Sequence, residues 1–233
     1  MPRMKIFNTL EKEAFESPPV LNSAERKRYF SLPLMLKDSM VNLRTPTNKV
    51  CFLVAAGYFK ARRKFFGCQF RQADIEYVAN QVGVNSTEVR VETYSKETCA
   101  RHQRVILSYF SCGPFDEAAK SITAREIAAL VRVQFRPKLV LLEIIQVLTH
   151  KRIAIPSYNV LADLTVAAID HHHALLLKTV NDHLSKTQRD QLDALLEKEP
   201  DNGCFCPKAR IGLFQFPDLR VGCRSEVAVH AGL

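Results

Sequence analysis

Lys60, Arg62, Arg63 and Lys64 place four cations within five positions, directly after the apolar run Val50 to Phe59. Read as the last turn of one helix, they offer ammonium and guanidinium groups to phosphate oxygens. Each phosphate so neutralised contributes about −0.9 to the slope of log K against log salt concentration. The cluster sits in a longer stretch, Ser39 to Ala73, that contains no Asp or Glu and adds Arg44, Lys49 and Arg71 to the positive charge. A plainer reading competes, because cations at a helix end also complement its negative pole while remaining solvated.

Two further segments have residue types suited to reading a duplex. From Ile75 to Tyr94, Ala79 and Gly83 stand four apart among Val78, Val82 and Val84, with Val89 six residues after Gly83. These offsets predict a helix-turn-helix whose second helix presents Asn85, Ser86, Thr87 and Arg90 to a major groove. Glu92 stands where an apolar residue would complete that helix, and helix pairs around a glycine also occur in ordinary bundles. In the second segment, Lys151 and Arg152 would meet phosphates and Ser157 would open a helix with free amides. Tyr158 and Asn159 would face base edges. A helical hairpin packed in a core fits that spacing equally well.

Other clusters carry less chemistry. His171, His172 and His173 on a helix point about 100° apart and cannot share one metal ion. Cys204, Cys206 and Cys223 lack the paired spacing and fourth ligand of a zinc site. Cys51, Cys68, Cys99 and Cys112 are scattered singly and read as small buried hydrophobes. No phosphate-binding glycine loop, nucleophile elbow or His-Glu-x-x-His pattern occurs. No catalytic residue, metal, cofactor or small-molecule substrate is therefore expected.

The elements that must position these groups are helices, and an all-α fold with helix-turn-helix-like units near 75–94 and 138–165 is expected. Periodicity and caps predict helices over 8–17 and 23–30, the second capped by Ser23, and one from Pro33 to about Asn42. A long helix should run from about Asn48 to Phe65, another from Gln72 to Val82 stopped by Gly83, and another from Glu97 to Phe110. Thr123 and Glu126 form a capping-box pattern, Pro137 to His150 is apolar nearly all round and so central, and Ser157 caps a helix reaching about His183. Ser185 with Gln188 marks a further start. Residues 1–115 read as a helical DNA-binding domain and 116–200 as a second helical subdomain for DNA binding or scaffolding. The last 31 residues, with four of the eight Gly and three of the seven Cys, read as an irregular tail.

The whole chain has 33 Lys and Arg against 24 Asp and Glu, a net charge of +9 that favours nucleic acid as a partner. Its longest apolar run is half of the roughly 20 residues a membrane helix needs, and no signal-like stretch follows Met1. A cytoplasmic protein is expected, associated with the bacterial nucleoid.

Several residues, in order and spacing, resemble one family. They are Met1-Pro2-Arg3, the helix from Asn48 to Tyr58-Phe59-Lys60, Tyr94, Thr98 and Arg101-His102, Arg152-Ile153-x-Ile155-Pro156-Ser157 with Leu161, and Leu184 followed by Gln188-Arg189-x-x-Leu192-Asp193-x-Leu195-Leu196. Together they resemble the amino-terminal region of transposases of the Tn-three family, over residues 1 to about 200. The resemblance implies a helical region that binds the double-stranded terminal inverted repeats of a transposon. The family's metal-dependent cleavage by an acidic triad belongs to a larger carboxyl-terminal part. The chain is thus expected to bind DNA without cutting it, as a truncated or frameshifted fragment. The alternative is a helical interaction module that pairs with full-length transposase and modulates transposition.

Overall fold

A computed structural model describes residues 4–31 and 43–196. Among them there are nine α-helices and no strand, so the fold is all-α. The helix expected from Pro33 and the tail beyond residue 200 lie outside the described residues. The chain divides into two units, Met1–Val180 and Asn181–Leu233.

The first unit opens with α1 (Thr9–Glu16) and α2 (Ser23–Phe30). Each begins with a reciprocal cap: Asn8 accepts from the Glu11 amide at 2.8 Å, Asn22 from the Glu25 amide at 2.9 Å, and each Glu returns a bond to the cap amide. Ser23 is therefore the first helical residue and not the cap, because the longer amide side chain of Asn22 already serves the third amide.

Thr45 caps α3 (Pro46–Arg62), and Pro46 occupies the first turn, where its missing N–H costs nothing. Every residue from Val50 to Phe59 is buried, as a helix apolar on all sides must be. This helix, not Pro137–His150, is the central one. Around it pack Phe30 of α2, Ile75, Val78 and Ala79 of α4 (Gln72–Gln81), and Ile106 and Leu107 of α5 (Lys96–Tyr109). Asp74, fully buried, accepts from Arg26 Nε and from the Tyr58 hydroxyl, both at 2.7 Å. Tyr58 in turn accepts from the Arg71 amide, and the Arg71 guanidinium holds the Pro18 and Pro19 carbonyls. One carboxylate thus fixes α2, α3, α4 and the link between the first two helices.

Gly83, at φ +69°, ends α4, with the Val84 amide reaching back to the Ala79 carbonyl at 2.9 Å. The α-helix expected after it does not form. Ser86–Glu88 and Val91–Thr93 are single 3₁₀ turns joined by extended residues. Val89 and Val91 pack against the first core while the Arg90 amide bonds the Thr47 hydroxyl, and these tertiary demands override helical continuation.

A second core holds α6 (Glu117–Val131), α7 (Pro137–His150) and the first half of α8 (Tyr158–His183). Asp116 caps α6 through the Ala119 amide. The pattern at Thr123 and Glu126 consequently falls inside the helix, where the buried Thr123 hydroxyl bonds the Ala119 carbonyl at 2.7 Å. From α7 only the stripe Val140, Leu141, Ile144 and Leu148 is buried; Leu139 and Leu142 are exposed. Ile6 and Phe7 complete this core from the start of the chain. By length and composition α8 is apolar enough to cross a membrane, with mean hydropathy 1.2 over its best window. In the second unit, Ser185 and Gln188 bond each other's amides at the start of α9 (Lys186–Leu196).

Among the described residues the free cysteines include Cys51 and Cys99, which lie buried beside Tyr94, and burial pushes both thiols up to about 12. His102 is also buried: the Tyr94 hydroxyl contacts its Nδ1 at 2.8 Å, and Nε2 has no partner. Burial, aided by the Arg101 charge, lowers its pKa to about 4.

Two predictions follow from these cores. Between pH 6.5 and pH 4 the unfolded chain carries a proton on residue 102 that the fold rejects, so stability falls as pH drops, by up to about 3 kcal/mol. Urea midpoints at pH 7 and 4.5 measure the loss, and His102→Gln should flatten it. At Gly57 an added Cβ would lie 2.2 Å from Phe30 Cδ1. Gly57→Ala should therefore cost about 1–3 kcal/mol in a melting experiment, despite the better helix propensity of alanine.

Candidate nucleic-acid interface

The ends of α3, α5 and α7 meet at one junction. The Ile155 amide donates to the Arg63 carbonyl at 2.9 Å, the Gly113 amide to the Arg152 carbonyl at 2.8 Å, and the Ala154 amide to the Gly113 carbonyl at 2.9 Å. Two isolated parallel bridges, Lys64 with Ile155 and Gly113 with Ile153, record the same pairing. Among the described residues the non-glycine positions with positive φ are Arg63 (53°), Ser111 (49°) and Arg152 (54°), and all three stand at this junction. A left-handed conformation costs a non-glycine residue roughly 1 kcal/mol. Two of the three are arginines where glycine would fit the backbone better.

The bridges bring together two basic segments far apart in the sequence, 62–63 and 151–152. Arg62 is exposed with no ion-pair partner among the described residues. The Arg63 guanidinium lies 5.4 Å from the Phe110 ring and 5.9 Å from Phe59, half-buried. Arg152 is exposed, and Lys151, also exposed, pairs with Glu126 at 3.3 Å.

Lys60 and Lys64 serve the fold instead. Lys60 Nζ donates to the Arg28 and Ser31 carbonyls at the end of α2, and burial beside Arg28 lowers its pKa. Lys64 is 5% exposed; its ammonium donates to the Phe15 carbonyl and to Glu16, each at 3.0 Å, and rests on the Phe15 ring. Burial lowers its pKa and Glu16 opposes the shift. A phosphate cannot reach this ammonium, so Lys64 leaves the expected set. The clustering in sequence cannot reveal this, because the partner lies 48 positions away.

At the start of α8, Glu16 accepts the Tyr158 amide and the Ser157 carbonyl accepts from Leu161. A carboxylate thus already occupies one of the amides that phosphate would use. Tyr158 is buried, stacked on Phe7 with its hydroxyl accepting the Phe7 amide at 3.1 Å, and so it does not face bases. Ser157 and Asn159 are exposed. In the other segment Asn85 is spent on the Thr87 amide and Ser86 is half-buried, whereas Thr87, in a 3₁₀ turn, and Arg90, in the extended link after it, are exposed. His171, His172 and His173 lie on α8, and no group of three metal-type ligands occurs among the described residues.

Because Arg152 is exposed, glycine there removes backbone strain and little packing. Arg152→Gly should raise stability by roughly 0.5–1 kcal/mol, read as an upward shift of the melting temperature.

No curated protein matches the chain. The family model of a domain of unknown function, DUF4158, matches residues 6–168. That span holds both cores except for Ile169, and it includes the whole three-helix junction. The chain belongs to the DUF4158 family.

Proposed function

We propose that this chain is a DNA-binding region of a transposase, of the Tn-three type, that grips the terminal inverted repeats of its element. The observation that carries the reading is the junction, where backbone hydrogen bonds join Ile155 to Arg63 and Gly113 to Arg152, so that the basic segments 62–63 and 151–152 end at one place, which we read as a basic edge. Two of these positions keep arginine in a left-handed conformation that glycine would adopt at lower cost. The net charge of +9 gives the long-range attraction that such an edge needs. The edge contacts phosphates and so sets position. Thr87, Arg90, Ser157 and Asn159, exposed nearby in sequence to these elements, are the groups left to read base edges.

Fluorescence anisotropy with a duplex carrying the terminal repeats that flank the gene, at several salt concentrations, tests the reading. Binding should weaken steeply with salt. Replacing Arg62 and Arg152 together by alanine should reduce the slope by about 1.8, two phosphates' worth. Weak, salt-insensitive binding untouched by the double substitution would reject the proposal and favour a protein-interaction module.

A further inference from the structure

The turn between α6 and α7 reads Val131-Arg132-Val133-Gln134-Phe135-Arg136-Pro137. Its ends are anchored in the second core by Val131 and Val140. Hydrogen bonds brace both ends of the turn: the Val133 and Gln134 amides donate to the Leu130 carbonyl, the Arg136 amide to the Gln134 side chain, and the Leu139 and Val140 amides to the Arg136 carbonyl. At the tip Phe135 is 82% exposed and Val133 77% exposed. Packing requires neither, and a polar residue in either place would be better solvated.

Arg132 and Arg136 flank this apolar tip, both exposed, and neither has an acidic partner among the described residues. A cation, an apolar wedge and a second cation, in that order across a narrow turn, match a duplex groove, where two phosphate walls enclose stacked bases. A lipid surface would call for a broader apolar face than two side chains. The geometry points to the 132–136 turn as a groove wedge: Phe135 enters between base pairs and kinks the duplex while Arg132 and Arg136 hold the phosphates on either side. This assignment rests on the DNA-binding reading above. The fourteen residues of α7 put the turn about 20 Å along the helix from Arg152, close to six base-pair steps.

The test compares the intact chain with Phe135→Ala and with Arg62→Ala/Arg152→Ala on a short terminal-repeat duplex. It reads affinity, end-to-end energy transfer as a measure of bending, and 2-aminopurine fluorescence as a measure of unstacking. Phe135 is 82% exposed, so Phe135→Ala should melt like the parent. It should keep the salt slope, lose the bend and the unstacking signal, and bind roughly tenfold more weakly. Should Phe135→Ala bend and bind as the parent does, the wedge is rejected while the DNA reading stands. No binding of any duplex by the parent chain rejects both. Phe135-dependent binding to phosphatidylcholine–phosphatidylserine vesicles, with no DNA bending, reassigns the turn to lipid and overturns the wedge.

Discussion

The ammonium of Lys64 has almost no water around it, and what it binds determines how the first unit is joined. It takes the Phe15 carbonyl and one oxygen of Glu16, and the other Glu16 oxygen takes the Tyr158 amide. A single ion pair therefore links the end of α1, the second residue after α3 and the start of α8, and it spans both hydrophobic cores. Charges withdrawn from water cost several kcal/mol unless geometry and extra hydrogen bonds compensate. Here the carbonyl and the amide supply those bonds. The neighbouring backbone pairings of Arg63 with Ile155 and Gly113 with Arg152 follow from the same alignment of segments.

Seen from that knot, the basic edge is a consequence of chain path. Lys64 turns inward to Glu16, the preceding Arg63 is left-handed, and Arg62 stays outside. On the facing segment, Ile153 and Ile155 turn inward, so Lys151 and Arg152 remain at the rim. The charge pattern of the surface is thus set by which neighbours the interior claims.

Much of the helical framework was legible in the residues. Val50 to Phe59 marks a buried helix by its lack of any polar face, Gly83 marks a stop because the backbone there needs positive φ, and Pro137 marks a start. The errors arose where two local signals competed. Asn22 displaced Ser23 as a cap, and Asp116 opened α6 before the pattern at Thr123 could. Around 85–94 the local signals favoured a helix, yet Val89, Val91 and the Thr47 hydroxyl required an extended path. For the candidate site, Arg62 and Arg152 are found by counting cations, but counting cannot separate them from Lys64, whose partner is distant. The 132–136 turn has no glycine to mark it. Pro137 offered the missing signal, since it disfavours helical geometry at Arg136.

Ile6 and Phe7 stand far in sequence from the core that covers them, which is built from residues 115 to 169. The core around α3 is drawn from residues 21 to 112, apart from Ala154. Seating Ile6 and Phe7 therefore closes a loop of more than a hundred residues, and loop closure on that scale carries an entropic cost of a few kcal/mol.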